Sequence, residues 1–234
     1  MTDALDALRA ATRARVALGR AGDSLPTARL LELRAAHAAA RDAVHHPLDP
    51  ALLDLPQALR VHSAAADRAE YLQRPDLGRV LAPGTELPRG EHDVAFVVAD
   101  GLSPLAVHTH AVPVLRAVLA RLEGWDVAPV VVAEQARVAL GDEVAVALGA
   151  RMVVVLVGER PGMSSTDSLG LYLTFAPRTG TPDSARNCLS NVRPPHGTGY
   201  EAAATTLVML MTEARRRGLS GVALKADAAL PPGP

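Results

Sequence analysis

Hydrophobic and polar positions divide the chain into two parts with different periods. Residues 1–90 carry helical spacing and almost no strand pattern, whereas residues 91–225 alternate short apolar runs with amphipathic segments. In the first part, Leu30, Leu33 and Val44 recur at helical spacing after Pro26, which predicts a helix. The Ala-rich segment 58–73 predicts another helix. We therefore expect a helical region over 1–90 and a second domain over 91–234.

The second part predicts a series of strands and helices. The apolar runs predict strands at 93–100, 127–133, 152–157, 171–175 and 221–225. Ser103 and Pro104 are a favoured N-cap and first helical residue, and predict a helix to about Leu122.

The helix after the second strand could begin at Glu134, but Gly141 and Asp142 favour a later start, with Gly149 as its stop. Thr198 and Glu201 have capping-box spacing before a helix that ends at Gly218. Repeated strand–helix–strand units predict an α/β fold with a doubly wound, Rossmann-like, mostly parallel sheet.

Two carboxylates are placed where a ligand is expected. Small molecules bind at the carboxyl ends of the strands in an open α/β sheet, and Glu159 follows the apolar run 152–157 and Gly158 there. Glu159 either pairs with Arg160 or accepts hydrogen bonds from amide groups of a ligand. Asp100 ends the first strand of the second part; a turn or cap role is favoured there over an acid–base role.

Composition narrows the classes of partner. The 234 residues are 49% hydrophobic and 21% charged, with a formal net charge of -1. Lysine and arginine are spread along the chain and only 3% of residues are aromatic, so neither nucleic acid nor a membrane is an expected partner. The single cysteine, Cys188, excludes an internal disulfide framework and indicates the cytoplasm. For a lone cysteine, a small buried hydrophobe is the favoured role.

Common catalytic motifs are missing from the sequence. It contains neither G-x-x-x-x-G-K-[ST] nor G-x-G-x-x-G after the first strand, which disfavours a standard nucleotide fold. Ser103 and Ser164 lack the G-x-S-x-G context of an exposed nucleophile. His108 and His110 lie two residues apart on a predicted helix, so they point to different faces and cannot chelate a metal together. The segment 191–199, with Arg193 and His196, predicts a rigid surface loop.

Several strings together resemble a known family. ARVALGDEVAVALGARMVVVLVGERPG and RNCLSN, in this order, are similar to the small (light) subunit of ethanolamine ammonia-lyase, and the resemblance covers roughly residues 13–225. It implies an adenosylcobalamin-dependent ammonia-lyase that converts ethanolamine to acetaldehyde and ammonia. It also implies a large, barrel-shaped partner subunit in a hetero-oligomer, with the cobalamin, and so its cobalt, held at the interface between the subunits.

The resemblance also implies specific site residues. The family's cobalamin contacts match Val138, Glu159 and Cys188. Val138 would pack on the apolar surface of the ligand, and Glu159 would accept hydrogen bonds from amide groups on the corrin side. Cys188 would make a close contact with the ligand. Ethanolamine would be bound mainly by the partner, so no catalytic residue and no metal ligand is assigned to this chain. The absence of D-x-H-x-x-G implies that the cofactor keeps its own base on cobalt.

Two other classes of function remain open on the sequence. One is a stand-alone small-molecule-binding module or hydrolase that uses the same crevice, and the other is a purely structural subunit. The family resemblance leaves two expected locations, the free cytoplasm and a bacterial microcompartment.

Overall fold

A computed structural model describes residues 2–12 and 14–225, and it confirms the α/β class. In chain order, its helices and strands are α1 (Thr2–Ala11), α2 (Thr27–His45), β1 (Leu59–His62), α3 (Arg68–Gln73), β2 (Ala95–Ala99), α4 (Pro104–Ala106), α5 (Val112–Leu119), β3 (Val131–Glu134), α6 (Leu140–Leu148), β4 (Met152–Gly158), β5 (Leu169–Phe175), β6 (Arg186–Val192) and α7 (Tyr200–Arg217). A π-helical turn, Val107–Ala111, joins α4 to α5.

The six strands form one mixed sheet in the order β1-β3-β2-β4-β5-β6. The pairs β1–β3, β3–β2 and β2–β4 are parallel, whereas β4–β5 and β5–β6 are antiparallel. The expected parallel pairing is therefore found only among β1, β3, β2 and β4. A loop without a crossover helix, residues 159–168, connects β4 to β5, and such a connection allows only antiparallel pairing.

Both faces of the central strands are buried. Phe96 and Val154 pack in the same core cluster as α5 and α7, and the alternate residues Val97 and Val155 pack in the cluster of α6 on the other face. This double burial explains why the central strands are continuous apolar runs. Beyond β4, Cys188 and Ser190 of β6 stay exposed.

Local signals in the sequence locate several helix ends correctly. The α2 helix matches the prediction, and the Ser103 hydroxyl accepts from the Ala106 N–H at 3.2 Å as a helix cap. The helix after β3 begins at Leu140, which confirms the later of the two starts. Gly149 ends it in the left-handed conformation, with φ 75°.

The prediction of a helix over 58–73 is wrong in its first half. Leu59–His62 is an edge strand that pairs with β3, and the helix begins only at Arg68, capped by the Asp67 side chain. Pairing with a distant strand overrides the helical preference of the Ala-rich sequence, as tertiary contacts commonly do. This strand places part of the supposed helical region in the sheet.

Other sequence predictions need correction as well. The strand expected at 127–133 is β3, and it begins at Val131 rather than Val127. Pro129, just before it, has no N–H to donate to a neighbouring strand. Residues 221–223 form a 3₁₀ helix instead of a strand, and β6 was not predicted. The capping box is wrong: Gly199 is the N-cap of α7, so Thr198 lies before the cap position and Glu201 is the second helical residue. The Glu201 carboxylate accepts from Arg121.

Asp100 is a fully buried carboxylate at the carboxyl end of β2. It accepts from the backbone N–H groups of Ala136 (2.7 Å) and Gln135 (3.0 Å), and from Arg68 Nη1 (3.0 Å). The expected turn follows at Gly101, but Ser103, not Asp100, caps the next helix. Burial raises the pKa of Asp100 to about 6, against the opposing effects of the Arg68 charge and the backbone donors. Asp100 thus fixes the β3–α6 loop and α3 to the end of β2.

A second buried ion pair fixes the antiparallel hairpin to α6. Arg186 at the start of β6 donates to both oxygens of Asp142, at 2.7 and 2.6 Å, and also to the Thr174 hydroxyl at 2.9 Å. The side chains of Arg186 and Asp142 are 2% and 1% exposed. Such a bidentate pair is strong when complete, and removal of one partner leaves a buried charge.

Within residues 2–12 and 14–225, no helix combines the length and apolar character needed to cross a membrane.

The raised pKa of Asp100 predicts a pH-dependent stability. Between pH 4 and 6 the folded protein holds a proton that the unfolded chain, with an aspartate pKa of about 3.9, has lost. The contribution of this group to the free energy of unfolding therefore falls as pH rises through that window, by at most about 3 kcal/mol. Urea unfolding at pH 4.5 and 7 gives the free energy of unfolding at each pH. Its fall between these two pH values should be smaller in Asp100→Asn than in the wild type. Equal falls in the two proteins would contradict the assignment, and Asp23→Asn, at an exposed position, is the control.

Loss of the Asp142 charge should destabilise the fold strongly. Asp142→Asn removes the buried, bidentate carboxylate of Arg186 and leaves only the exposed Asp183 carboxylate, at 3.5 Å from Arg186 Nε, so we expect a loss of about 3 kcal/mol in the free energy of unfolding. Asp54→Asn, which breaks an exposed pair with Arg116, should change the urea midpoint very little. Similar midpoints for the two variants would show that the buried pair does not fix the hairpin.

Candidate functional site

A cleft of about 460 Å³ lies at the carboxyl ends of β2 and β4. Its walls come from α3, the turn after β2, the β3–α6 loop, the end of β4 and the β5–β6 hairpin. The lining residues are Tyr71, Gly101, Leu102, Arg137, Val138, Val157, Gly158, Glu159, Arg160, Tyr172 and Ser190. The cleft therefore lies where an α/β sheet places its ligands.

The floor of the cleft requires a glycine at position 101. The Leu102 N–H donates to the Gly158 carbonyl at 2.9 Å, which brings the turn after β2 against the end of β4. A Cβ atom on Gly101 would lie 2.2 Å from that same carbonyl oxygen, and Gly101 has φ 56°. Only glycine fits such a close approach in this conformation.

Glu159 is held by donors of its own chain. Its carboxylate accepts from the hydroxyl groups of Ser168 and Ser190, and from the Asn191 N–H at 3.2 Å. Among the described residues it makes no ion pair with Arg160, so the pairing interpretation is not supported. Its side chain is oriented by these three bonds and lines the cleft, while its backbone N–H donates to Ser168 O at 2.8 Å.

Val138 and Cys188 stand in different relations to the cleft. Val138 lines it from the β3–α6 loop and is partly buried against the α6 core. Cys188 does not line the cleft itself; it pairs with Tyr172 across β5–β6, and Tyr172 does line it. Cys188 is exposed, so the expectation of a buried hydrophobe is wrong.

The Cys188 thiol lies against the Tyr172 hydroxyl although the residue as a whole is exposed. Burial of the sulfur raises the pKa of Cys188 above its ordinary value, and the charge of Glu159 acts in the same direction, whereas the hydrogen bond with Tyr172 opposes it. The thiol is therefore protonated and neutral near pH 7. It offers a small neutral surface beside the cleft.

The structure adds an aromatic and cationic wall that sequence reasoning did not assign. Tyr71 is fully buried, and the guanidinium carbons of Arg68 and Arg137 lie 4.8 and 4.7 Å from its ring centroid. Its hydroxyl donates to Ala136 O at 3.3 Å. Arg137 could have been noticed from its place beside Val138 in the strand-end loop. Tyr71 reaches the cleft from α3, far away in sequence, and no local motif indicates it.

Other residues singled out in the sequence have structural roles. Ser103 is fully buried and donates to Thr166 O at 2.7 Å, so it is not an exposed nucleophile. The His108 ring makes a hydrogen bond with the backbone of Asp49. His110 is buried, and its Nδ1 lies 2.8 Å from the Tyr200 hydroxyl oxygen. Burial lowers the pKa of His110. In the 191–199 loop, His196 is exposed, but Arg193 is buried, contrary to expectation.

The lining of the cleft suits binding better than bond cleavage. It combines one carboxylate, two arginines and an apolar wall that includes Val138 and Val157. No histidine is among these lining residues to act as a base beside a hydroxyl or thiol. The cleft can therefore bind a large polar ligand by hydrogen bonds on one side and apolar contacts on the other.

Comparison with known proteins gives a consistent result. The family model for the ethanolamine ammonia-lyase light chain matches residues 2–225. The ethanolamine ammonia-lyase small subunit of Ralstonia nicotianae is 58% identical, over 96% of this chain and 89% of its own length. Those of Azotobacter vinelandii and Rhodococcus erythropolis are 57% and 50% identical, over 94% and 93% of this chain and 87% and 88% of theirs. The chain thus belongs to the ethanolamine ammonia-lyase light-chain family.

Proposed function

We propose that this chain is the small subunit of an ethanolamine ammonia-lyase and forms one side of an adenosylcobalamin site that a large subunit completes. Family membership and the names of the relatives support the subunit role. The observation that carries the cofactor role is the orientation of Glu159. Three donors hold this carboxylate in an open cleft that Val138 also lines, with Cys188 next to its rim.

The residues present fit one face of a cobalamin. The cleft of about 460 Å³ is too small to enclose so large a molecule, because pockets of roughly 300–1,000 Å³ hold drug-sized ligands. A carboxylate has about four acceptor positions, and Glu159 uses three of them within the chain. One position remains for an amide N–H of the corrin ring's side chains.

The remaining surfaces of the cleft suit the same ligand. Val138 and Val157 present apolar atoms to the cleft, and the neutral Cys188 thiol lies at its edge. The cofactor, when bound, supplies the radical chemistry of the reaction, and the protein supplies placement and exclusion of water. In this proposal the chain orients the cofactor, and ethanolamine is bound by the large subunit.

The isolated chain should not catalyse the reaction. We expect no acetaldehyde from ethanolamine with this chain and adenosylcobalamin alone, and acetaldehyde formation once the large subunit is co-purified with it. The measurement is a coupled alcohol dehydrogenase assay with and without each component. Turnover by the chain alone would overturn the proposal in favour of a stand-alone enzyme.

Glu159→Gln should weaken cofactor binding without preventing assembly. The variant removes a charged acceptor, and a hydrogen bond to a charged group is worth about 1.5–3 kcal/mol, so the cobalamin Kd should rise roughly 10- to 100-fold. Absorbance titration of the complex with adenosylcobalamin gives the Kd, and size-exclusion chromatography checks assembly. The control Glu123→Gln, at an exposed position, should leave the Kd unchanged. An unchanged Kd in Glu159→Gln would favour a purely structural subunit.

A further inference from the structure

A second groove continues the cleft towards α2. Its volume is about 560 Å³, and it shares Leu102, Arg137 and Arg160 with the first cleft. The other lining residues come from α2, α3 and the loop after β4: His37, Ala40, Arg41, Val44, His45, Leu72, Pro161, Gly162 and Met163. The lining therefore contains three arginines and two histidines and no acidic residue.

Arg137 uses little of its hydrogen-bonding capacity inside the chain. Its Nη2 donates to Tyr71 O at a long 3.5 Å, and its buried Nε has no partner among the described residues. The nearby Asp100 does not neutralise it, because Arg68 and two backbone N–H groups occupy that carboxylate. A guanidinium carries five N–H donors in a fixed plane, so most of those of Arg137 remain available.

Arg160 adds a second guanidinium at the junction of the two cavities. It is exposed, and no acidic side chain of the described residues lies within ion-pair distance of it. In contrast, the buried Arg186 has its own carboxylate partner. The two arginines at the junction thus present positive charge that the protein itself does not neutralise.

The position of Arg137 is set before any ligand arrives. Its guanidinium packs on the Tyr71 ring at 4.7 Å, and its backbone N–H donates to Gly78 O at 2.8 Å. The first turn of α6, where the helix dipole favours negative charge, follows at Leu140. An anion at the junction would therefore meet donors whose orientation costs little additional entropy.

We propose that Arg137 and Arg160 bind a phosphodiester, the phosphate of the nucleotide loop of the cobalamin. This inference rests on the proposed function. The amide side chains of the corrin ring are neutral, and the phosphodiester is the group of the cofactor that carries a negative charge. Arginine is the side chain best suited to such a group, since its planar fork bonds two phosphate oxygens together. Glu159 then faces the corrin side of the cofactor and the two arginines face its nucleotide side.

Truncation of the ligand tests this assignment directly. Adenosylcobinamide keeps the corrin ring and its amides but lacks the nucleotide loop and its phosphate. We expect Arg137→Gln and Arg160→Gln, in the complex with the large subunit, each to raise the Kd for adenosylcobalamin about 10-fold or more, measured by absorbance titration. The Kd for adenosylcobinamide should stay within about twofold of the wild-type value. Arg137→Lys should restore part of the lost affinity for adenosylcobalamin.

A matched control and the two ligands make the outcome decisive. Arg151→Gln removes the same charge from an exposed arginine before β4, at the opposite edge of the sheet, and should change neither Kd. If Arg137→Gln and Arg160→Gln weaken both ligands equally, or neither, the phosphate assignment is overturned. The proposed function still stands in that case if Glu159→Gln weakens both ligands. It fails separately if the wild-type complex binds neither ligand.

Discussion

The burial of one charge at the end of β2 determines how the rest of the cleft is arranged. A carboxylate removed from water needs donors, and Asp100 takes them from the backbone of Gln135 and Ala136 and from Arg68. To present those two N–H groups, the chain turns sharply after β3, and Gln135 adopts φ 53°. The same turn directs Arg137 and Val138 into the cleft. Arg68 in turn holds α3 in place, and α3 brings Tyr71 under Arg137.

The antiparallel hairpin supplies the opposite wall. Since β5 runs against β4 and β6 runs against β5, the carboxyl end of β6 lies at the same edge of the sheet as that of β4. This arrangement brings Ser190 and Asn191 to Glu159 as donors. The Asp142–Arg186 pair fixes the hairpin to α6, the helix that follows the loop with Val138. Two buried ion pairs thus set the two walls relative to each other.

The sequence predicts what depends on local signals and misses what depends on distant contacts. The apolar runs of β2 and β4, the cap at Ser103 and the stop at Gly149 are encoded within a few residues, and the structure has them there. The edge strand β1 and the direction of β5 depend on which partner strand is available, which periodicity does not show.

The candidate site was predictable to a similar extent. The position of Glu159 follows from the end of an apolar run and the rule for strand ends. Its three donors come from residues 9, 31 and 32 positions away, and Tyr71 and Arg68 come from a helix before the first central strand. The sequence could not assign these residues, because only the folded sheet brings them together. The surroundings of Cys188 have a further consequence for how the chain tolerates oxygen. Oxidants and disulfides react with a thiolate, and burial of the sulfur together with the charge of Glu159 keeps it as a thiol at neutral pH. The single cysteine of the chain, although exposed, is therefore less reactive towards a second copy of the protein under oxidising conditions than a thiol with an ordinary pKa.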